Sequence, residues 1–534
     1  MLLDFFQRFL SNFPAWELNW SAVAVWLSLV ASGLLALKSL NRRRKDARLP
    51  PGPWGIPILG YFPFIWKPYH YAFKELADKY GPIFRLRMGC KDVVVLNDLA
   101  SIREGLSDPN LLYRPDDFLF RYLNMKGIGG LNGEEWQANR RYGFQVMRNL
   151  GFAKKPMEVH MKKKMSEWRQ EVRDQHSRRG QKNANRLQEE VQCFNEFLES
   201  SKGRPITVFQ ELGSSIVNNI SALVFGQRYD LGDTKGRFVE GMLTKFMLNA
   251  TFFSVFDFMP IVRFLAYYTP HTRIYSVRSV FKDFKQLVRE ELKKRESNPA
   301  EYQNRDFIDG YSRKIQENNG GSSYFTLPCL LGIAINFYSA STNTVRSAIL
   351  WNLYMAASDP DHQTRLQQEI DAVIGRERAP GWEDRARMPY TMASILEIMR
   401  WRTISPTGIH RAAKYDTTIG GYHIPAGTLI LANFWKLHND PTHWPDPSKY
   451  DPARFLNADG TEVKEKSLAF LPFSLGKRSC PGETLAVMEI FIYVTTVLQK
   501  FRVLPEEGKS ISLKPYDTLM TVADDTQRLC FTPR

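Results

Sequence analysis

The chain has 534 residues, 43% of them apolar and 13% aromatic, and a formal net charge of +16. That is ample for a large buried core. The five cysteines, at 90, 193, 329, 480 and 530, exclude a disulfide framework or a zinc module by their spacing and fit a reducing compartment. The excess charge sits largely in Lys38–Arg48 (six basic, one acidic, +5) and Lys162–Arg186 (nine basic, three acidic, +6). With no nucleic-acid motif or aromatic-interleaved groove, an anionic membrane surface or an acidic protein explains it better than nucleic acid.

In chain order, Trp20–Leu37 is an uncharged apolar run of 18 residues. As a helix it spans about 27 Å, enough for a hydrocarbon core. The basic flank that follows places the remainder on the cytoplasmic side. A cleaved signal peptide would carry its positive residues first, and a mitochondrial presequence would be Arg-rich and acid-poor, whereas Asp4 and Glu17 lead here. Residues 1–48 are therefore read as an uncleaved anchor. Leu49 to Pro57, with Pro50, Pro51, Pro53 and Pro57, reads as a stiff, non-helical hinge. Residues 58–534 form the body.

The body reads as mainly helical with small β-sheets. A helix is expected at Gly133–Arg148, beginning near Asn132. It carries Trp136 and Arg140 at i, i+4, on one face. Several amphipathic helices follow over 187–300. Within them, Ala250–Tyr268 is dense in aromatics, either ordinary core or an apolar roof. Phe325–Ala357 reads as one long helix with few breakers, too long for an average surface helix and so expected to be central and buried. Thr391–Arg402 is another, with Glu397 and Arg400 at i, i+3 on one face. Alternating β-branched residues and a Pro-Ala-Gly turn predict short strands at Thr418–Ala432. A Pro-punctuated meander from Asn439 to Phe455, containing Arg454, leads to Phe473-Ser474-Leu475-Gly476-Lys477-Arg478-Ser479-Cys480-Pro481-Gly482 and a helix near Thr484–Leu498.

In that loop, Gly476 and Gly482 are expected to supply positive φ and close backbone approach. The helix N-terminus behind Cys480 favours a thiolate. The pattern F-x-x-G-x-R-x-C-x-G resembles the signature of the cytochrome P-450 family. The resemblance covers roughly Leu49 to the C-terminus and is to the microsomal animal type, an arthropod member being one reading.

It implies the cytochrome P-450 fold behind one transmembrane helix. It further implies haem b, with Cys480 as axial ligand to the iron and Phe473 shielding the sulfur. Arg478, Trp136, Arg140 and Arg411 would contact haem propionates, His410 being an alternative to Arg411. Glu397, Arg400 and Arg454 would form a buried structural triad. In Ala340-Ser341-Thr342-Asn343-Thr344, Thr344 takes the place of the oxygen-activating alcohol when the register is fixed by Trp351 and Pro360. Ser341 stands where relatives have Gly, and Asn343 where they have an acid. Asn orients water but supplies no carboxylic proton.

The implied reaction is NADPH- and O2-dependent monooxygenation of a lipophilic small molecule. Electrons would arrive through NADPH–cytochrome P-450 reductase, with cytochrome b5 as a further partner, at the endoplasmic reticulum membrane. Arg140, Arg141, Arg148, Lys154, Lys155 and Lys477 would steer an acidic partner to the thiolate face. Residues 162–186 interrupt the resemblance as a basic insertion. A partner-binding arm, a disordered loop and a translated intron remain open for it. Two other readings stand beside monooxygenation: a family member that rearranges a peroxide, and a membrane-tethered haem sensor.

Overall fold

The computed structural model describes residues 28, 48–115, 126–149, 186–230, 233–249, 258–297, 306–317, 324–517 and 520–534. Of residues 1–48 only Ser28 and Arg48 fall among them, so the expected anchor lies outside the described residues, as do almost all of the basic insertion and Phe252, Phe253 and Phe256. No described helix is long and apolar enough to cross a membrane.

The helices in chain order are α1 (Tyr69–Tyr80), α2 (Leu99–Ser107), α3 (Gly133–Asn149), α4 (Arg186–Ser200), α5 (Phe209–Val224), α6 (Thr234–Asn249), α7 (Pro260–Tyr268), α8 (Arg273–Ser297), α9 (Phe307–Glu317), α10 (Leu327–Ser358), α11 (Pro360–Val373), α12 (Pro389–Arg402), α13 (Phe434–His438) and α14 (Glu483–Lys500). The sheets are small. The largest has four strands in the order β1 (Ile83–Met88), β2 (Lys91–Leu96), β6 (Leu429–Ala432), β3 (Arg411–Ala412). β1–β2 and β3–β6 are antiparallel and β2–β6 is parallel. β4 (Thr417–Ile419) and β5 (Tyr422–Ile424) form a hairpin, and the short pair β8 (Tyr516–Asp517) and β9 (Thr521–Val522) another. β7 (Phe501–Pro505) pairs with β10 (Leu529–Pro533).

Helix starts follow capping chemistry. The Asp98 side chain accepts from the Ser101 N–H to start α2, Thr326 from Cys329 to start α10, and Asp359 from Asp361 and His362 to start α11. Pro328, Pro360 and Pro389 sit in first turns, where a missing N–H is harmless.

The core is built around α10, which packs against α5, α6, α11, α12 and α14. Its residues from Val345 to Ala357 are buried without interruption, Trp351 completely. That burial explains why the sequence shows no amphipathic stripe there. One stretch differs: Asn336, Phe337, Ser341 and Thr344 are half-buried and Ala340 is exposed. At i, i+4 and i, i+3 spacing these residues make one open face, the side of α10 on which a cleft for a bound group is expected. The proline hinge is not free-standing: the Arg85 N–H donates to the Pro51 carbonyl at 2.7 Å, docking the hinge along β1.

Candidate functional site

Three elements bound the expected cleft: the exposed face of α10, the loop Phe473–Gly482 that leads into α14, and the segment 126–132, which contacts both. The Gly129 N–H donates to Asn336 Oδ1 at 2.8 Å on α10. Arg478 reaches the carbonyls of Ile128 (3.2 Å) and Leu131 (2.7 Å). A Cβ on Gly332 would stand 2.5 Å from the Gly127 nitrogen, so glycines at this crossing let the segment lie on the helix.

In the loop, the Cys480 N–H donates to the Phe473 carbonyl at 2.9 Å, closing the turn. Gly476 has φ +73°, and a Cβ there would meet the Leu106 carbonyl oxygen at 2.7 Å. The expectation for Gly482 is corrected: its φ is −90°, and the second left-handed residue is Ser474, at +62°. The role of Gly482 is to direct its N–H at the Cys480 sulfur, which favours the thiolate. Cys480 presents an exposed surface, yet protein encloses the thiol on its other sides. Burial outweighs the Gly482 N–H and Arg140, and the thiol is pushed up. A cation bound to the sulfur is what would hold it as thiolate.

The propionate donors expected from the sequence converge. The Arg478 guanidinium lies over the Trp136 indole at 3.8 Å, and Arg140 over the same ring at 5.9 Å. Arg140 also donates to the Ser479 carbonyl at 2.9 Å. Arg411 donates to Leu106 (2.7 Å) and Leu475 (3.2 Å). His410, the alternative, is buried beside it.

Sequence reasoning missed a fourth guanidinium, Arg114, which donates to Gly129, Ile409 and His410 carbonyls. Its neighbour Pro115 is the only local signal, since Tyr113-Arg114-Pro115 has no periodicity to read. Burial and the charges of Arg478, Arg411 and Arg140 push Arg114 down. Burial lowers Arg411 to about 10; burial, then Arg411 and Arg140, lower Arg478 to about 9. Among the described residues none of the four pairs with a carboxylate. The Trp136 Nε1–H is buried with no partner. Four unneutralised guanidiniums and an orphaned indole donor fit a planar group bearing two carboxylates, as haem b does.

The triad is assembled. Arg400 binds Glu397 through two hydrogen bonds of 2.6 and 2.7 Å, both side chains fully buried. Arg454 Nε stands 3.3 Å from Glu397 Oε1, a charge contact without hydrogen-bond geometry. Arg400 also holds the His438 and Pro447 carbonyls. His438, absent from the sequence reading, links the triad to the cysteine loop. Its Nε2 accepts from the Leu471 N–H at 2.9 Å, which leaves the proton on Nδ1, facing Thr403 Oγ1 at 2.9 Å. Burial, then Arg400, lower its pKa to about 3.

On α10, Thr344 Oγ1 donates to the Ala340 carbonyl at 2.7 Å, on the cleft face. Further along, Trp351 donates to the Thr521 carbonyl and Pro360 opens α11. The helix remains α-helical through Ser341. Asn343 is not brought to the cleft: it is buried, donating to the Leu243 carbonyl at 3.4 Å and accepting from Arg346.

Comparison with known proteins gives a consistent result. The family model described as Cytochrome P450 matches residues 50–185 and 174–531, the two matches meeting inside the basic stretch. Cytochrome P450 2J2 of Homo sapiens is 32% identical over 513 residues, covering 94% of each chain. Cytochrome P450 2J1 of Oryctolagus cuniculus is 31% identical over 518 residues, covering 95% of this chain and 96% of that one. Cytochrome P450 2H2 of Gallus gallus is 33% identical over 511 residues, covering 94% and 96%.

Proposed function

Because this chain belongs to the cytochrome P450 family and is, with it, a haem b monooxygenase, we propose that its substrate is a lipophilic small molecule: a steroid, fatty acid or xenobiotic. Its electrons come from NADPH through NADPH–cytochrome P-450 reductase, with cytochrome b5 as a second donor. The observation that carries the site assignment is the cationic cradle behind Cys480, four guanidiniums without a carboxylate beside a buried indole N–H without a partner.

When bound, thiolate-ligated haem supplies the oxygen chemistry, sulfur donation favouring O–O cleavage. Cys480 would hold the iron, and Phe473, whose carbonyl closes the loop, would keep water from the sulfur. Trp136, Arg140, Arg411, Arg478 and Arg114 would hold the propionates. Thr344 would keep its proton at Oγ1, hydrogen-bonded to the Ala340 carbonyl on the open face of α10, and orient a water there that carries protons to the site. Glu397, Arg400 and Arg454, through His438, keep the cysteine loop in place.

The body sits on the cytosolic face of the endoplasmic reticulum, tethered by Trp20–Leu37. An exposed apolar surface supports a membrane contact: Ile261, Phe264, Leu265 and Tyr268 of α7 face outward, and so do Trp66 and Ile58. The two groups adjoin, since Phe258 packs on Phe62 at 5.2 Å and its carbonyl accepts from the Cys90 N–H.

The test reconstitutes the full chain with the reductase and NADPH. Candidates are first screened by substrate-induced Soret shift across sterols, fatty acids and xenobiotics. Product bearing one atom of labelled O2, formed only with NADPH, is the expected result. Turnover of a lipid peroxide without NADPH would instead select the peroxide-rearranging reading, and ligand binding without any turnover would select a sensor.

A further inference from the structure

Two residues that the haem cradle does not use, Glu240 and Arg346, meet in the interior beside the cleft. Arg346 lies on α10 two residues beyond Thr344 and is buried. Its Nη1 donates to Glu240 Oε1 of α6 at 2.7 Å. Its Nη2 donates to Thr244 Oγ1 at 3.0 Å and to Asn343 Oδ1. Thr244 donates to the same Glu240 oxygen at 2.7 Å. The guanidinium stacks on the Phe209 ring of α5 at 3.6 Å. Asn343 completes the circuit through its Nδ2–H to the Leu243 carbonyl. Burial pushes the guanidinium down and Glu240 pulls it back.

Glu240 is the carboxylate bonded to Arg346, and Asp525 adds negative charge at longer range. A carboxylate at 343 would add a further negative charge against one guanidinium, buried, where an unpaired charge is strongly unfavourable. An amide at 343 is what the network accommodates: it accepts from Arg346 and donates to a backbone carbonyl.

We propose that Glu240 and Arg346 are positioning residues that clamp α6 to the turn of α10 carrying Thr344, and that Asn343 serves this clamp rather than proton delivery. The proposal rests on the role given to Thr344 above.

The experiment uses the full-length holoprotein and two readouts: amide hydrogen exchange in α6 and residues 339–344, and product formed per NADPH consumed. Glu240→Gln should keep the carbon monoxide band of thiolate ligation. It should raise exchange at both helices roughly tenfold or more, since exchange reports local opening. Its coupling should fall several-fold, towards that of Thr344→Ala. The apolar pair Glu240→Leu with Arg346→Met removes both charges, a replacement that commonly restores stability. It should fold, yet still couple poorly, because Asn343 has lost its partner. Unchanged exchange in Glu240→Gln, or wild-type coupling in the apolar pair, overturns the proposal. If Glu240→Gln does not fold, the apolar pair decides. If Thr344→Ala couples like wild type, the role of Thr344 fails, and the exchange measurement still tests the clamp.

Discussion

Acidification should loosen the cysteine loop through His438. This ring accepts a hydrogen bond from the Leu471 N–H and sits beside Arg400, so a second proton would face an N–H and a guanidinium inside the core. Its folded pKa of about 3 lies below the unfolded value of about 6.5. The stabilisation is therefore complete above about pH 6.5 and is withdrawn as pH falls towards 3. Linkage between those two values gives a loss of about 2 kcal/mol by pH 5. Buried carboxyl groups such as Glu489, raised by burial to about 8, shift stability in the opposite sense. The quantity to measure is thus a double difference: urea midpoints of holoprotein at pH 7 and pH 5, for wild type and His438→Gln. Glutamine keeps an acceptor for Leu471 but does not titrate. Wild type should lose about 2 kcal/mol more than the variant. Equal losses would mean that His438 is not the buried neutral link described.

Three further outcomes are expected. Arg400→Ala leaves the buried Glu397 carboxylate largely uncompensated and should cost about 3–5 kcal/mol in chemical denaturation; a change below about 1 kcal/mol, the range of an exposed pair, would contradict the triad. Trp136→Phe keeps the ring under Arg478 but removes the orphaned donor. Hydrogen bonds to charged groups being worth about 1.5–3 kcal/mol, haem loss to a scavenger protein should quicken roughly 10- to 100-fold; an unchanged rate would remove Trp136 from the propionate site. Carbonate extraction of microsomes should leave the full chain in the pellet, with the body open to added protease; release on extraction would rule out Trp20–Leu37 as an integral anchor.

What the sequence made legible was what is local. The long helix showed itself because α10 is buried on nearly every side, leaving few polar interruptions from Leu327 to Ser358. Trp136 with Arg140, and Glu397 with Arg400, could be read because helical spacing alone puts each pair on one face. Arg114 could not: its carbonyl partners Ile409 and His410 lie about three hundred residues away, brought near by the β-sheet and α12. His438 escaped for the same reason, its role depending on Leu471 across a Pro-rich meander. Asn343 was misplaced because its orientation is set by Glu240 and Arg346, a contact between two helices that no spacing predicts. Gly482 has ordinary φ because Ser474 takes the left-handed position, and the sequence pattern does not distinguish which residue will bear it.

The central claim is that Cys480 holds the haem iron as thiolate. The measurement that tests it most directly is the carbon monoxide difference spectrum of the reduced full-length protein, wild type against Cys480→Ala. Wild type should show the red-shifted Soret band of thiolate ligation and the variant none. Retention of that band by Cys480→Ala would place the axial ligand elsewhere and contradict the account.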